Sequence, residues 1–172
     1  IIISGIGGDE LFAGYPSFNI IPKINTYMKF IPESKILNSL INNKLYSFLK
    51  KNKMKTKYSG ILDYGRNINS TFLLVRSLFL PNEINELIDQ NTFKKGYAEL
   101  DILNTLNKDI SNIKDTRLSI MYLEIKYYLC SKLLRDADWT SMANSIELRT
   151  PLVDWSFFNK LIPLIKNDNS MK

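Results

Sequence analysis

The first fifteen residues, IIISGIGGDELFAGY, constrain the fold more than any other stretch of the chain. Ile1 to Ile3 form a wholly apolar run of the kind expected of a buried strand. Ser4, Gly5, Gly7 and Gly8 then allow a tight turn with sparse side-chain cover, and Asp9 to Tyr15 read as the start of a helix. A lone strand cannot satisfy its own backbone hydrogen bonds, so Ile1 to Ile3 require neighbouring strands. No second convincing strand run follows, and the rest of the sheet is expected upstream of this sequence. Strand, glycine turn, acid pair and helix is how an α/β protein builds a place for phosphate or metal at the carboxyl end of a strand. Glycine lets backbone N–H groups approach a ligand closely, and a carboxylate such as Asp9 can hold the magnesium that travels with a nucleotide. The commoner nucleotide patterns are excluded. Glu10 stands where a dinucleotide fingerprint needs its third glycine, and no Gly-Lys-Ser/Thr follows for a P-loop.

Composition removes several chemistries. The 172 residues contain no histidine, which rules out a Ser-His-Asp or Cys-His triad and any histidine metal site within this sequence. A single cysteine, Cys130, excludes an internal disulfide, and its apolar helical context predicts a small buried hydrophobe. No apolar run approaches the ~20 residues of a transmembrane helix, and no signal peptide is expected. A reducing cytoplasm is the expected setting, with no membrane partner. Net charge is +6, which favours phosphate-bearing partners without selecting among them. Lys50, Lys51, Lys53, Lys55 and Lys57 are read as a solvated helix end, since no aromatics or arginines alternate with them as single-strand binders require. No nucleic-acid partner is expected.

After the first strand the pattern is helical throughout. Tyr15-Pro16 should end the opening turn, and Asn19 to Ile31 has helical spacing with Pro22 near its start. Ile36, Leu37, Leu40, Ile41, Leu45, Phe48 and Leu49 make one apolar face of the next helix. Ser59 to Asn67 and Ser70 to Leu80 read as two helices separated near Asn69, and Gly96 to Asn107 as another. Asp115 or Thr116 caps a long helix with Leu118, Met121, Tyr122, Ile125 and Leu129 inward. Ser145 to Leu152 is extended up to Pro151, and a last helix covers roughly Ser156 to Ile165.

The second informative stretch is Leu133 to Asp154, LLRDADWTSMANSIELRTPLVD. Arg135, Asp136, Asp138, Glu147, Arg149 and Asp154 are interleaved there with apolar residues, and charges stay ionised near a core only when paired. An ion-pair network, for example Arg149 with Asp138 or Asp154, and a functional site are both compatible with that spacing.

Together, Ser4-Gly5-Ile6-Gly7-Gly8-Asp9-Glu10-Leu11-Phe12-Ala13-Gly14-Tyr15 and the later Leu-Leu-Arg-Asp-Ala-Asp…Ser-Met-Ala…Ile-Glu-Leu-Arg-Thr-Pro-Leu-Val-Asp resemble the asparagine synthetase family of glutamine-hydrolysing amidotransferases. The resemblance is to the carboxy-terminal part of the ATP-dependent synthetase domain, and it would make residues 1–172 that part. It implies an α/β ATP-pyrophosphatase domain of the adenine nucleotide alpha hydrolase-like type, of which this sequence contributes one parallel strand and then mainly α-helix. It also implies ATP and Mg²⁺ as cofactors, a carboxylate substrate (by default aspartate, converted to asparagine), ammonia derived from glutamine, and a possible homodimer. On that analogy Gly5 and Gly7 present backbone to the nucleotide, and Asp9 ligates Mg²⁺–pyrophosphate with a second aspartate from a Ser-Gly-Gly-x-Asp-Ser loop. That loop and the glutaminase domain are not in this sequence, so the sequence alone is expected to be inactive. Glu10 is expected to hold the turn and helix start.

Two positions depart from the asparagine-forming pattern. Ile6 stands where an acid is common, and Trp139 where Arg or Lys is usual. An isoleucine can neither accept a proton nor bind ammonium. The departures leave room for another carboxylate acceptor, such as a surface-polysaccharide sugar acid or a β-lactam-type substrate. They are also compatible with weakened catalysis, and a non-catalytic helical binding module is a separate alternative.

Overall fold

A computed structural model describes residues 1–52, 56–84 and 87–167. The chain divides into two compact units, one formed by Ile1–Phe18 with Ile113–Lys172 and the other by Asn19–Asn112.

The first unit begins with β1 (Ile2–Ile3), crosses the glycine turn and enters the short helix α1 (Gly8–Phe12). Its largest feature is an unbroken helical rod: α9 (Thr116–Leu123), a π-helical segment (Glu124–Leu133) and α10 (Leu134–Ala143). Asp115 caps the rod as its sequence position suggests, its carboxylate accepting the Leu118 amide at 2.8 Å. Within the widened segment Ser131 Oγ donates to the Lys126 carbonyl five residues back, at 2.9 Å. After the rod come β2 (Leu148–Arg149), a 3₁₀ turn (Pro151–Val153) and α11 (Trp155–Asn167). Leu11, Ile120, Met121, Leu123 and Leu129 supply the buried core of this unit.

β1 and β2 pair in parallel, Ile2 opposite Leu148 and Ile3 opposite Arg149. A second strand was not expected, because two residues carry no side-chain pattern of their own and β2 is defined by its backbone partner. Nor is the isoleucine run buried. Ile1, Ile2 and Ile3 are 78, 50 and 74 % exposed, because β2 is the only strand beside them among the described residues. Cys130 is also exposed rather than buried, since its neighbour Leu129 takes the core-facing position on the rod.

The second unit contains the body of α2 (Ser17–Met28), which starts in the first unit, followed by α3 (Lys35–Lys51) and a 3₁₀ turn (Thr56–Gly60). Helices α4 (Ile61–Tyr64), α5 (Ile68–Arg76), α6 (Pro81–Ile84), α7 (Gln90–Leu100) and α8 (Ile102–Ile110) complete it. Ile21, Met28, Leu49, Leu62, Phe72, Leu74, Leu80 and Leu106 form its buried apolar core among the described residues. The expected break near Asn69 falls earlier, at 65–67, where Arg66 donates to the Met28, Ile31 and Pro32 carbonyls. The single helix expected over Gly96–Asn107 is two, divided at Asp101, whose φ of +37° is one that short polar side chains tolerate. The apolar face of α3 is only partly covered: Leu49 is buried, whereas Leu40, Ile41 and Phe48 are exposed. The side chains of Ile36 and Leu37 lie outside the described residues.

Of the lysine run, Lys50 and Lys51 end α3 in solvent, and Lys53 and Lys55 lie outside the described residues. Lys57 has a structural task, donating to the Val75 and Ser77 carbonyls at 2.7 and 2.9 Å, where α5 ends. No helix among the described residues is long and apolar enough to cross a membrane.

Candidate functional site

The strand pairing brings the two informative stretches of sequence together. Ile2 donates to the Glu147 carbonyl at 2.8 Å and Ser4 to the Arg149 carbonyl at 2.9 Å, so the glycine turn leaves β1 beside the Ile146–Asp154 segment. The turn is held locally. Ser4 Oγ accepts the Ile6 amide at 3.2 Å, and Gly8 donates to the Gly5 carbonyl at 3.1 Å. Gly7 is buried with φ +98°, and a Cβ there would sit 3.0 Å from Val153 Cγ2. Glycine is therefore required at position 7 twice over, by its backbone and by the 3₁₀ turn packed against it. Around Gly5 the space a side chain would take is open, so its backbone is approachable.

Asp9 lies at the start of α1 and is exposed. Its carbonyl accepts the amides of Ala13 and Gly14, closing the helix in one turn, and its carboxylate lies over Gly14. Ala13 takes the left-handed conformation, φ +58°, in that closure. Glu10 points the other way and is fully buried. Its Oε1 accepts the Tyr15 hydroxyl at 3.0 Å, whereas Oε2 has no hydrogen-bond partner among the described residues. Burial away from water pushes the Glu10 carboxyl above the ordinary glutamate range, against the hydrogen bonds it accepts. Burial, and then the charge of Glu10, raise the Tyr15 hydroxyl in the same way. Glu10 thus holds the helix start, and it lines a small cavity of about 250 Å³ with Leu11, Leu129 and Val153.

The turn is tied to the rod by residues the sequence does not mark as functional. Ser17 Oγ donates to Glu124 Oε1, both residues being buried and 107 positions apart. Tyr15 meets Tyr128 edge to face at 5.6 Å between ring centroids. The one signal available in the sequence is Glu124 itself, an acid inside the apolar stretch from Met121 to Ile125.

Ile6 borders an open hollow of about 500 Å³ whose walls are Ile2, Leu133, Ile146 and Leu148, with Asp136 and Thr140 at its polar edge. Among the described residues Arg149 pairs with neither Asp138 nor Asp154. Arg149 pairs with Glu147, two residues away, at 2.8 Å and in solvent, because extended backbone puts alternate side chains on one side. Asp154 caps α11 instead, accepting Ser156 Oγ at 2.6 Å and the Phe157 amide at 2.9 Å. Chiefly that serine hydrogen bond holds Asp154 below the usual carboxylate range. Trp139 is exposed and lies under the Arg135 guanidinium, 5.2 Å from ring centroid to Cζ.

A magnesium site at this turn would have Asp9 as its one carboxylate from these residues. Among the described residues no cluster of three metal-binding side chains exists. Magnesium characteristically takes one or two carboxylates and completes its shell with phosphate oxygens and water, so one exposed aspartate beside an open glycine turn suits it. A protein-family model described as asparagine synthase matches residues 1–162. Comparison with curated proteins and with solved structures gave no match.

Proposed function

The chain belongs to the asparagine synthase family, and on that premise we propose that it is the carboxy-terminal part of a synthetase domain that activates a carboxylate with ATP and amidates it. The observation that carries this reading is the parallel register of β1 and β2, which sets the Gly5–Asp9 turn beside the Ile146–Asp154 segment. In the proposed reaction a substrate carboxylate oxygen attacks the α-phosphorus of ATP. The bond to the β-phosphate bridging oxygen breaks, and pyrophosphate leaves. Ammonia, supplied from glutamine, then attacks the acyl carbon of the adenylate, AMP departs with the bonding electrons, and the nitrogen loses a proton. Gly5 presents backbone to the nucleotide, Gly7, named with it from the resemblance, is buried and shapes the turn, and Asp9 would hold the Mg²⁺ that accompanies pyrophosphate. Bound magnesium would neutralise charge on the departing phosphates.

Aspartate is the default acceptor. Ile6 favours a second reading of the substrate, because it puts an apolar side chain on the hollow beside the turn. An acceptor whose body is less charged than aspartate, such as a sugar acid, suits such a wall. The test is to give the full-length protein ATP, Mg²⁺, ammonium and a panel of carboxylates including aspartate and uronic acids. One of them should yield AMP and pyrophosphate in equal amounts together with an amide. Release of ADP and phosphate, or no nucleotide cleavage with any carboxylate, would contradict the proposal.

A further inference from the structure

We infer that Gly14 is a positioning residue: the absence of its side chain is what lets the Asp9 carboxylate lie back over the end of α1, in the orientation offered to a metal-bound phosphate. The inference rests on the proposed metal role of Asp9 and concerns how that carboxylate is aimed. An ideal Cβ on Gly14 would stand 2.2 Å from Asp9 Oδ1, 3.0 Å from its Cγ and 3.2 Å from its Cα. No real methyl group occupies such a position, so either the Gly14 backbone or the aspartate must move. Gly14 does not have the positive φ that would strain alanine, so the close contact is what a methyl there must relieve.

The surrounding contacts decide which partner gives way. Gly14 donates its amide to the Asp9 carbonyl at 2.9 Å. The residues just after it are anchored on buried groups, Tyr15 to Glu10 and edge-on to Tyr128, Ser17 to Glu124. That backbone is held from two sides. The Asp9 carboxylate is exposed and ends in freely rotating bonds, so it is the group a methyl at position 14 displaces. A carboxylate turned away from Gly14 no longer points where the native one does, and a misplacement of about 1 Å in a preorganised site can lower a rate about 100-fold.

The experiment compares Gly14→Ala, Asp9→Ala and the double variant in the full-length protein. It follows Mn²⁺ binding by electron paramagnetic resonance in the presence of pyrophosphate, together with the melting temperature. Gly14→Ala should melt close to the parent yet bind Mn²⁺ at least about 10-fold more weakly, and the double variant should bind no more weakly than Asp9→Ala alone. Parent-like binding by Gly14→Ala, with binding lost in Asp9→Ala, overturns the inference and leaves the proposed function standing. Parent-like binding by Asp9→Ala removes the metal role of Asp9, and this inference falls with it. If Gly14→Ala fails to fold, the double variant, which lacks the carboxylate in contact and keeps only the 3.2 Å approach to the Cα of residue 9, should fold and recover most of the lost melting temperature. No such recovery also overturns the inference.

Discussion

Replacing Gly7 by alanine probes the geometry of the turn most sharply. Gly7 has φ +98° and ψ −14°, in the left-handed region, where a Cβ costs about 1–2 kcal/mol. The new methyl would meet Val153 Cγ2 at 3.0 Å and Leu152 Cβ at 3.5 Å. Forcing an extra carbon into packed surroundings adds about 1–3 kcal/mol. The stiffer unfolded chain of the alanine variant returns about 0.4–1 kcal/mol. The net expectation is a loss of about 1–5 kcal/mol, weighing these ranges together. Urea unfolding followed by the fluorescence of Trp139 and Trp155, both in the first unit, should show a lower midpoint at unchanged slope. Gly8→Ala is the internal comparison. Its Cβ would meet only the flexible end of Leu152, at 3.3 Å, and a helical alanine is favoured over glycine, so it should lose much less. A Gly7→Ala variant as stable as its parent, or no worse than Gly8→Ala, would refute the strained-turn argument.

Three further outcomes are expected. Burial raises the Glu10 carboxyl above the unfolded value of 4.5, so the stability this group contributes is complete below that pH and is lost as pH rises through the folded value. Glu10→Gln should therefore match the parent near pH 4 and exceed it in stability at pH 7, by melting curves across that range. Ser17→Ala removes the hydroxyl bonded to buried Glu124 and should cost about 1–3 kcal/mol in denaturant unfolding, with Ser17→Thr recovering part of the loss. Ala13→Gly relieves a left-handed residue at the end of α1 and should stabilise the chain by about 0.5–1 kcal/mol, read as a raised melting temperature.

What the sequence disclosed follows from the range of the interactions involved. The turn and α1 are written in adjacent residues: glycines where the backbone bends, acids and then Leu11 where the helix begins. The rod from Asp115 is similarly local, its cap and apolar spacing lying within one stretch. The break at Asp101 was hidden because Tyr97, Leu100, Leu103 and Leu106 keep helical spacing across it, and periodicity does not register one left-handed residue. β2 and the Ser17–Glu124 bond depend on partners more than a hundred residues away, which no window along the chain contains. The site was legible in part for the same reason. Asp9 stands out by pattern, whereas the contact between its carboxylate and Gly14 exists only once the turn has closed. Spacing left the charges of the second stretch undecided between a network and a site, and Arg149 found a neighbour two residues away instead of a distant acid.

The most direct measurement is ATP–pyrophosphate exchange by the full-length protein with its carboxylate substrate, comparing the parent with Asp9→Asn. On the proposed metal role of Asp9, removing its charge should lower exchange by about 100-fold or more, with glutamine hydrolysis unchanged. Exchange at the parental rate in Asp9→Asn would contradict the assignment of this turn as the pyrophosphate site.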